Sequence, residues 1–117
     1  MEEKEEIEYQ VEITESARLY FYEIADYLYD NLSLSRAEEV TTSLHEKALS
    51  LNKLFYRGSK EKVLSDRPQG YKYLLFERSK SKYVKIIYYV DEAVNKVYVT
   101  DFFPSEMDDK KIRKRNR

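Results

Sequence analysis

Cysteine and tryptophan are absent from this 117-residue chain, and histidine occurs once, at position 45. The missing thiols exclude disulfides, thiolate metal centres and a cysteine nucleophile, and a lone His removes any multi-histidine metal site. No metal or other cofactor is therefore expected. No run approaches the ~20 consecutive apolar residues of a membrane span. The opening Met1–Ile7 is too acidic for a secretory signal, so the chain reads as cytoplasmic. What replaces the missing residue types is tyrosine: twelve Tyr and five Phe build core and surface from aromatics, most of which keep a polar tip.

Charge is nearly balanced at −1 but unevenly placed. Residues 1–8 sum to −4 and residues 110–117 to +6, leaving −3 on the body between them. Bulk charge does not mark the body as a nucleic-acid binder. A chain this long should bury roughly 65% of its unfolded surface, enough for one modest core. The division read from these features is an acidic leader over 1–8, one domain over 8–109, and a basic tail over 110–117. Too few apolar residues stand in that tail to pack it, so it is expected to be disordered and solvated.

The stretch from Tyr71 to Phe103 organises the rest. Three runs rich in β-branched and aromatic residues, 71–77, 83–91 and 96–103, are separated by short polar connectors, the pattern of an antiparallel meander. Val84–Val90 hardly alternates and so reads as a central strand covered on both faces. Upstream, Tyr9, Val11 and Ile13 alternate with Gln10 and Glu12 as a half-buried strand. Thr14 then offers an N-cap, and Ala17, Phe21, Ile24 and Leu28 predict a helix over 15–31, with Tyr20 and Tyr27 on one edge of the stripe. Ser35 and Glu38 have capping-box spacing and predict a second helix running to about Tyr56, closed by Gly58 in a left-handed turn. The two helices should form an antiparallel hairpin that buries both stripes on one side of the meander. Residues 59–70 read as a long polar loop pinned only by Val63 and Leu64, and Pro104 stops the last strand. The expected class is α+β: β-α-α-β-β-β, a helical hairpin on a mainly antiparallel four-stranded sheet.

His45 lies beside its helix's apolar stripe with no triad partner at helical spacing, and reads as a boundary residue. Tyr20, Tyr27 and Tyr29 cannot all face the core from one helix, which makes them candidates for contact with a partner.

This order of elements, with 14–28, Leu51–Ser59, Gly70–Lys72 and Val84–Val90, resembles the RelE/ParE toxins of bacterial type II toxin–antitoxin systems over about residues 8–109. Arg57-Gly58 after the second helix and the paired Phe102-Phe103 look more like the ParE branch. The resemblance implies a growth-inhibiting protein that binds DNA gyrase and is neutralised by an antitoxin. In the alternative RelE-like reading, the protein is a ribosome-dependent endoribonuclease acting on messenger RNA with a reduced site. Lys72 and Lys85, with Arg67 or Arg78, are the candidate basic residues for that chemistry. Leu74 stands where the resemblance implies a second lysine, and Phe103 where it implies an arginine. Loss of one oxyanion donor alone costs about 3 to 4 kcal/mol of transition-state stabilisation. A third reading is a non-toxic binding module of the same fold.

Overall fold

The computed structural model describes residues 8–117, so the acidic leader lies outside the described residues except for Glu8. The fold is α+β. Strand β1 (Gln10–Ile13) leads into α1 (Glu15–Asn31), then α2 (Leu34–Leu49) and the short α3 (Leu51–Leu54). After these come β2 (Ser59–Lys60), a 3-10 turn (Lys62–Leu64), β3 (Lys72–Ser79), β4 (Lys82–Asp91), β5 (Lys96–Pro104) and α4 (Lys111–Arg115). The strands form one sheet in the order β1-β5-β4-β3-β2. It is mixed: β1 runs parallel to β5, and the other pairs are antiparallel. No helix among the described residues is long and apolar enough to cross a membrane.

Helix α1 begins where its cap predicts. The Thr14 hydroxyl accepts the Ala17 N–H at 3.2 Å, and Ala17, Ile24 and Leu28 are buried against the sheet. The cap of α2 differs from the expectation. Ser33, not Ser35, accepts the Arg36 N–H, because only Leu32 and Ser33 separate the helices and the second one starts at once. Ala37, Val40, Leu44 and Ala48 then give α2 the same buried stripe as α1. These residues meet Val84, Ile86 and Tyr88 of β4 and Val97, Val99 and Phe102 of β5 in the larger core.

Three further expectations are corrected. The sheet has five strands, since Ser59–Lys60 pairs with Tyr73 and Lys72 at an edge. The loop after it is anchored by the fully buried Leu64 and the nearly fully buried Glu61. The basic tail is ordered: Ile112 is buried with Leu64, Tyr71, Ile87 and Phe103 in a second, smaller core on the sheet's outer face. One apolar residue on a five-residue helix is too weak a signal to read from sequence, but it meets a patch already prepared by four others.

The expectation for Gly58 is corrected as well. Of the two glycines, Gly70 is the one with positive φ, at 71°; the backbone of Gly58 is not left-handed. Its constraint is close approach: a side chain there would collide with the Tyr88 phenol. The Gly58 N–H donates to Tyr88 Oη at 2.9 Å, and the Tyr88 hydroxyl donates to the Phe55 carbonyl at 2.9 Å. A tyrosine in the middle of the sheet thereby ties the end of the helical segment to β4.

Two changes test this tie. Tyr88→Phe strands the Gly58 N–H and Phe55 carbonyl and is expected to lower stability by about 2 kcal/mol, and Gly58→Ala by about 1 to 3, in urea unfolding. Burial pushes the Tyr88 phenol above its ordinary value, partly offset by the Gly58 N–H. The folded protein therefore holds that proton more tightly than the unfolded chain. The stability this gives is complete below the ordinary tyrosine range and falls as pH rises above it. Tyr88→Phe should flatten that alkaline slope, and an unchanged slope would refute the assignment.

Candidate functional site

Strand β4 alternates cleanly. Val84, Ile86, Tyr88 and Val90 face the helices, while Ile87 and Tyr89 belong to the outer core, and Lys85 lies between Val84 and Ile86 in the same outward parity. Strand β5 does not alternate throughout. Its register against β4 shifts between Ile87–Asp101 and Tyr88–Val99, leaving Thr100 as an extra residue. A bulge of one residue exchanges the faces beyond it. Phe102 therefore enters the helix-side core and Phe103 the outer core, so the paired phenylalanines serve opposite sides of the sheet.

The same bulge turns Asp101 outward under α4, where it is fully buried. Arg115 grips it with Nη2 at 2.7 Å from Oδ1 and Nε at 3.1 Å from Oδ2, and Asn116 Nδ2 donates to Oδ2 at 2.9 Å. The Thr100 hydroxyl donates to Asn116 Oδ1 at 2.5 Å. Burial raises the Asp101 carboxyl above its ordinary value, and Arg115 and Asn116 only partly bring it back. β1 pairs with β5 only as far as Val99, so the β5 edge beyond it is open. Arg115 wraps that edge, donating to the Phe102 carbonyl at 3.1 Å and lying 3.7 Å over the Tyr20 ring of α1.

A cleft of about 260 Å³ results between α1 and the end of β5. Ile24, Val84, Phe102 and Pro104 line its apolar floor. One wall is the Arg115–Tyr20 stack and the other is Arg78, 5.3 Å over the Tyr27 ring. Arg78 is the residue skipped by the register shift between Glu77 and Ser79, and it pairs with Glu106 at 2.8 Å. Burial pushes the Glu106 carboxyl up, but Arg78, the Ser105 hydroxyl and a backbone N–H together outweigh this and hold it below its ordinary value.

The outer face holds an aromatic row. Tyr71 meets Tyr89 edge-on and Tyr89 stacks on Tyr98, each at 5.2 Å between centroids. Lys85 Nζ lies 4.5 Å over the Tyr73 ring and 3.0 Å from Oε2 of Glu61, which is 1% exposed.

The four basic candidates do not converge. Lys72 pairs with Tyr88 and so takes the helix-side parity, whereas Lys85 pairs with Leu75 on the outer face. Arg67 Nη2 donates to the Arg113 carbonyl at 2.9 Å, against α4. Arg78 is at the far end of β3 from Lys72, roughly 20 Å away at strand rise. The three tyrosine candidates divide as well. Tyr20 and Tyr27 line the cleft, whereas Tyr29 is exposed roughly 180° around α1 from Tyr20, on the side of exposed Tyr22. Glu61, Glu106, Met107 and Arg115 escaped the sequence reading. Their only signals were Met107 and Ile112, two apolar residues in a charged run. Among the described residues no group of three His, Cys, Asp or Glu side chains is arranged to hold a metal ion.

No family model, curated protein or solved structure matches this chain.

Arg115→Ala would leave Asp101 buried without its cation and is expected to cost about 3 kcal/mol near neutral pH. Because the folded protein already binds the Asp101 proton more tightly than the unfolded chain, stability from this group falls as pH rises from the ordinary carboxylate range through the folded value. Losing Arg115 raises the folded value further, so the deficit should shrink on acidification toward that range. Urea titrations of both proteins across this window decide it: an equal deficit at every pH would contradict the charge account.

Proposed function

We propose that the protein is the toxin component of a type II toxin–antitoxin system, RelE/ParE-like in fold and ParE-like in action. It acts in the cytoplasm by binding DNA gyrase and is held in check by a cognate antitoxin. The sequence resemblance motivates the family. The helical hairpin on one face of a largely antiparallel sheet supports it, with the parallel β1–β5 pairing and the edge strand β2 added to the expected four-strand plan.

The observation that carries the choice of branch is the scatter of the basic residues. Phosphoryl chemistry needs its cations aimed at one developing charge, since misplacement by an ångström forfeits much of the rate. Lys72 and Lys85 take opposite faces, Lys85 is committed to Glu61, and Arg78 to Glu106. Meanwhile Tyr22, Tyr27, Tyr29 and Tyr56 are each more than 40% exposed, the residue type that carries disproportionate energy at protein interfaces. Inhibition by contact suits this surface better than cleavage.

One observation favours the RelE-like ribonuclease as the second reading: Lys85 and the half-buried Tyr73, Tyr89 and Tyr98 share a face on which bases could stack.

Expression in a bacterial host without an antitoxin gene should arrest growth and induce a DNA-damage response while bulk messenger RNA stays intact. The double variant Lys72→Ala, Lys85→Ala should remain inhibitory. Cut messenger RNA, with toxicity lost in a folded double variant, would instead establish the nuclease, and harmless wild-type expression would leave only the binding module.

A further inference from the structure

The cleft between α1 and the end of β5 has a shape and a charge that together specify an occupant. At about 260 Å³ it is smaller than the ~300–1,000 Å³ typical of small-molecule sites. Its size suits one inserted side chain. Tyr20 and Tyr27 stand two turns apart, roughly 10 Å along the helix, and between them Ile24 and Phe102 offer an apolar floor.

The charge available at the mouth is negative despite the two arginines on the walls. The side chains of Arg78 and Arg115 are only 8% and 11% exposed, and both are bonded to carboxylates. Glu23 lines the mouth, is exposed, and has no hydrogen-bond or ionic partner among the described residues. Glu106 keeps 46% of its side chain in solvent. The exposed Asp26 and Asp30 extend the acidic field along α1, which carries Arg18 as its one basic residue. Such a rim disfavours an acidic segment and draws in a basic one.

We propose that this cleft is a docking site for a basic amphipathic helix of a protein partner. One Leu-, Met- or Phe-sized side chain enters between Tyr20 and Tyr27, and a Lys or Arg one turn away meets Glu23. The inference rests on the reading that this protein works through protein contacts, and it adds the location and chemistry of one contact. The cleft exists because the C-terminal segment folds back: Met107 and Arg115 complete its wall. It is therefore a composite of α1, the β4 and β5 ends and the tail, and a partner seated there would clamp all of them together.

Two synthetic helical peptides serve as probes, each with Leu at every third or fourth position, one with Lys and one with Glu at the flanking positions. Isotope-labelled full-length protein is titrated with each. The Lys peptide should shift amides around Tyr20, Glu23, Tyr27, Val84 and Glu106, and should bind at least ~10-fold more tightly than the Glu peptide. Glu23→Lys, on an exposed helical position where folding is not at risk, should reverse that preference. Met107→Trp, which fills the cleft, should weaken the Lys peptide at least ~10-fold, and its folding is checked by the same spectra. Shifts that map elsewhere, or affinity indifferent to both peptide charge and Glu23→Lys, would overturn the proposal. The growth assay separates the two readings. Charge-selective binding at the cleft with harmless expression would sink the toxin alone, and arrest without such binding would sink the docking site alone.

Discussion

A central strand that is apolar on both faces has to be covered twice, and a chain of this size has one helical layer with which to do it. β4 sets that demand: Val84, Ile86 and Tyr88 turn one way and Ile87 the other, all of them fully buried. The hairpin of α1 and α2 covers the first side. Thr100 is what makes the second side coverable. By taking up one residue of register it sends Phe103 outward beside Ile87 and puts Asp101 where the tail's Arg115 and Asn116 can reach it. Without that extra residue Asp101 would point into the helix-side core, with nothing there to bond it. The buried ion pair is then better understood as a locating device than as net stabilisation, since desolvation of both charges largely cancels their attraction.

The parts of the fold that could be read from sequence are those fixed by local periodicity. The bounds of α1 follow from Thr14 and the spacing of Ala17, Ile24 and Leu28, and the three long strands follow from their β-branched and aromatic runs. What could not be read depends on partners distant in sequence. Ser33 and Ser35 are equally good caps until the length of the interhelical link is known. Lys60 cannot be assigned to a strand until Lys72 is placed opposite it. The tail is the clearest case: its order comes from Asp66, Asp101, Leu64 and Phe103, none of which is its neighbour in the chain.

The candidate site was legible in part of its residues, Tyr20, Tyr27 and Arg78, and illegible in its geometry. Lys72 and Lys85 stand on adjacent strands, which on sequence alone makes them plausible companions. Only the register, with Lys72 against Tyr88 and Leu75 against Lys85, assigns them to opposite faces. Tyr20 and Tyr27 stand out because, with Tyr29, they cannot all face the core from one helix, but the arginines that lie over them come from a bulge in β3 and from the last helix. Neither could be paired with α1 by any local rule.

These placements bear on how such a protein acts on its surroundings. An arginine over a tyrosine, with a carboxylate hydrogen-bonded to the guanidinium, is a rigid unit: the ring, the cation and the anion each limit the others' rotamers. The cleft walls contain two, Tyr20–Arg115–Asp101 and Tyr27–Arg78–Glu106. Side chains so fixed lose little further freedom when something binds, and that loss is one of the main costs of forming an interface. A cationic site for chemistry would need the opposite, with guanidinium or ammonium groups kept free for an incoming anion. Here Arg78, Arg115 and Lys85 have all been given to internal carboxylates, and what this commitment produces is a preorganised aromatic surface with an acidic rim.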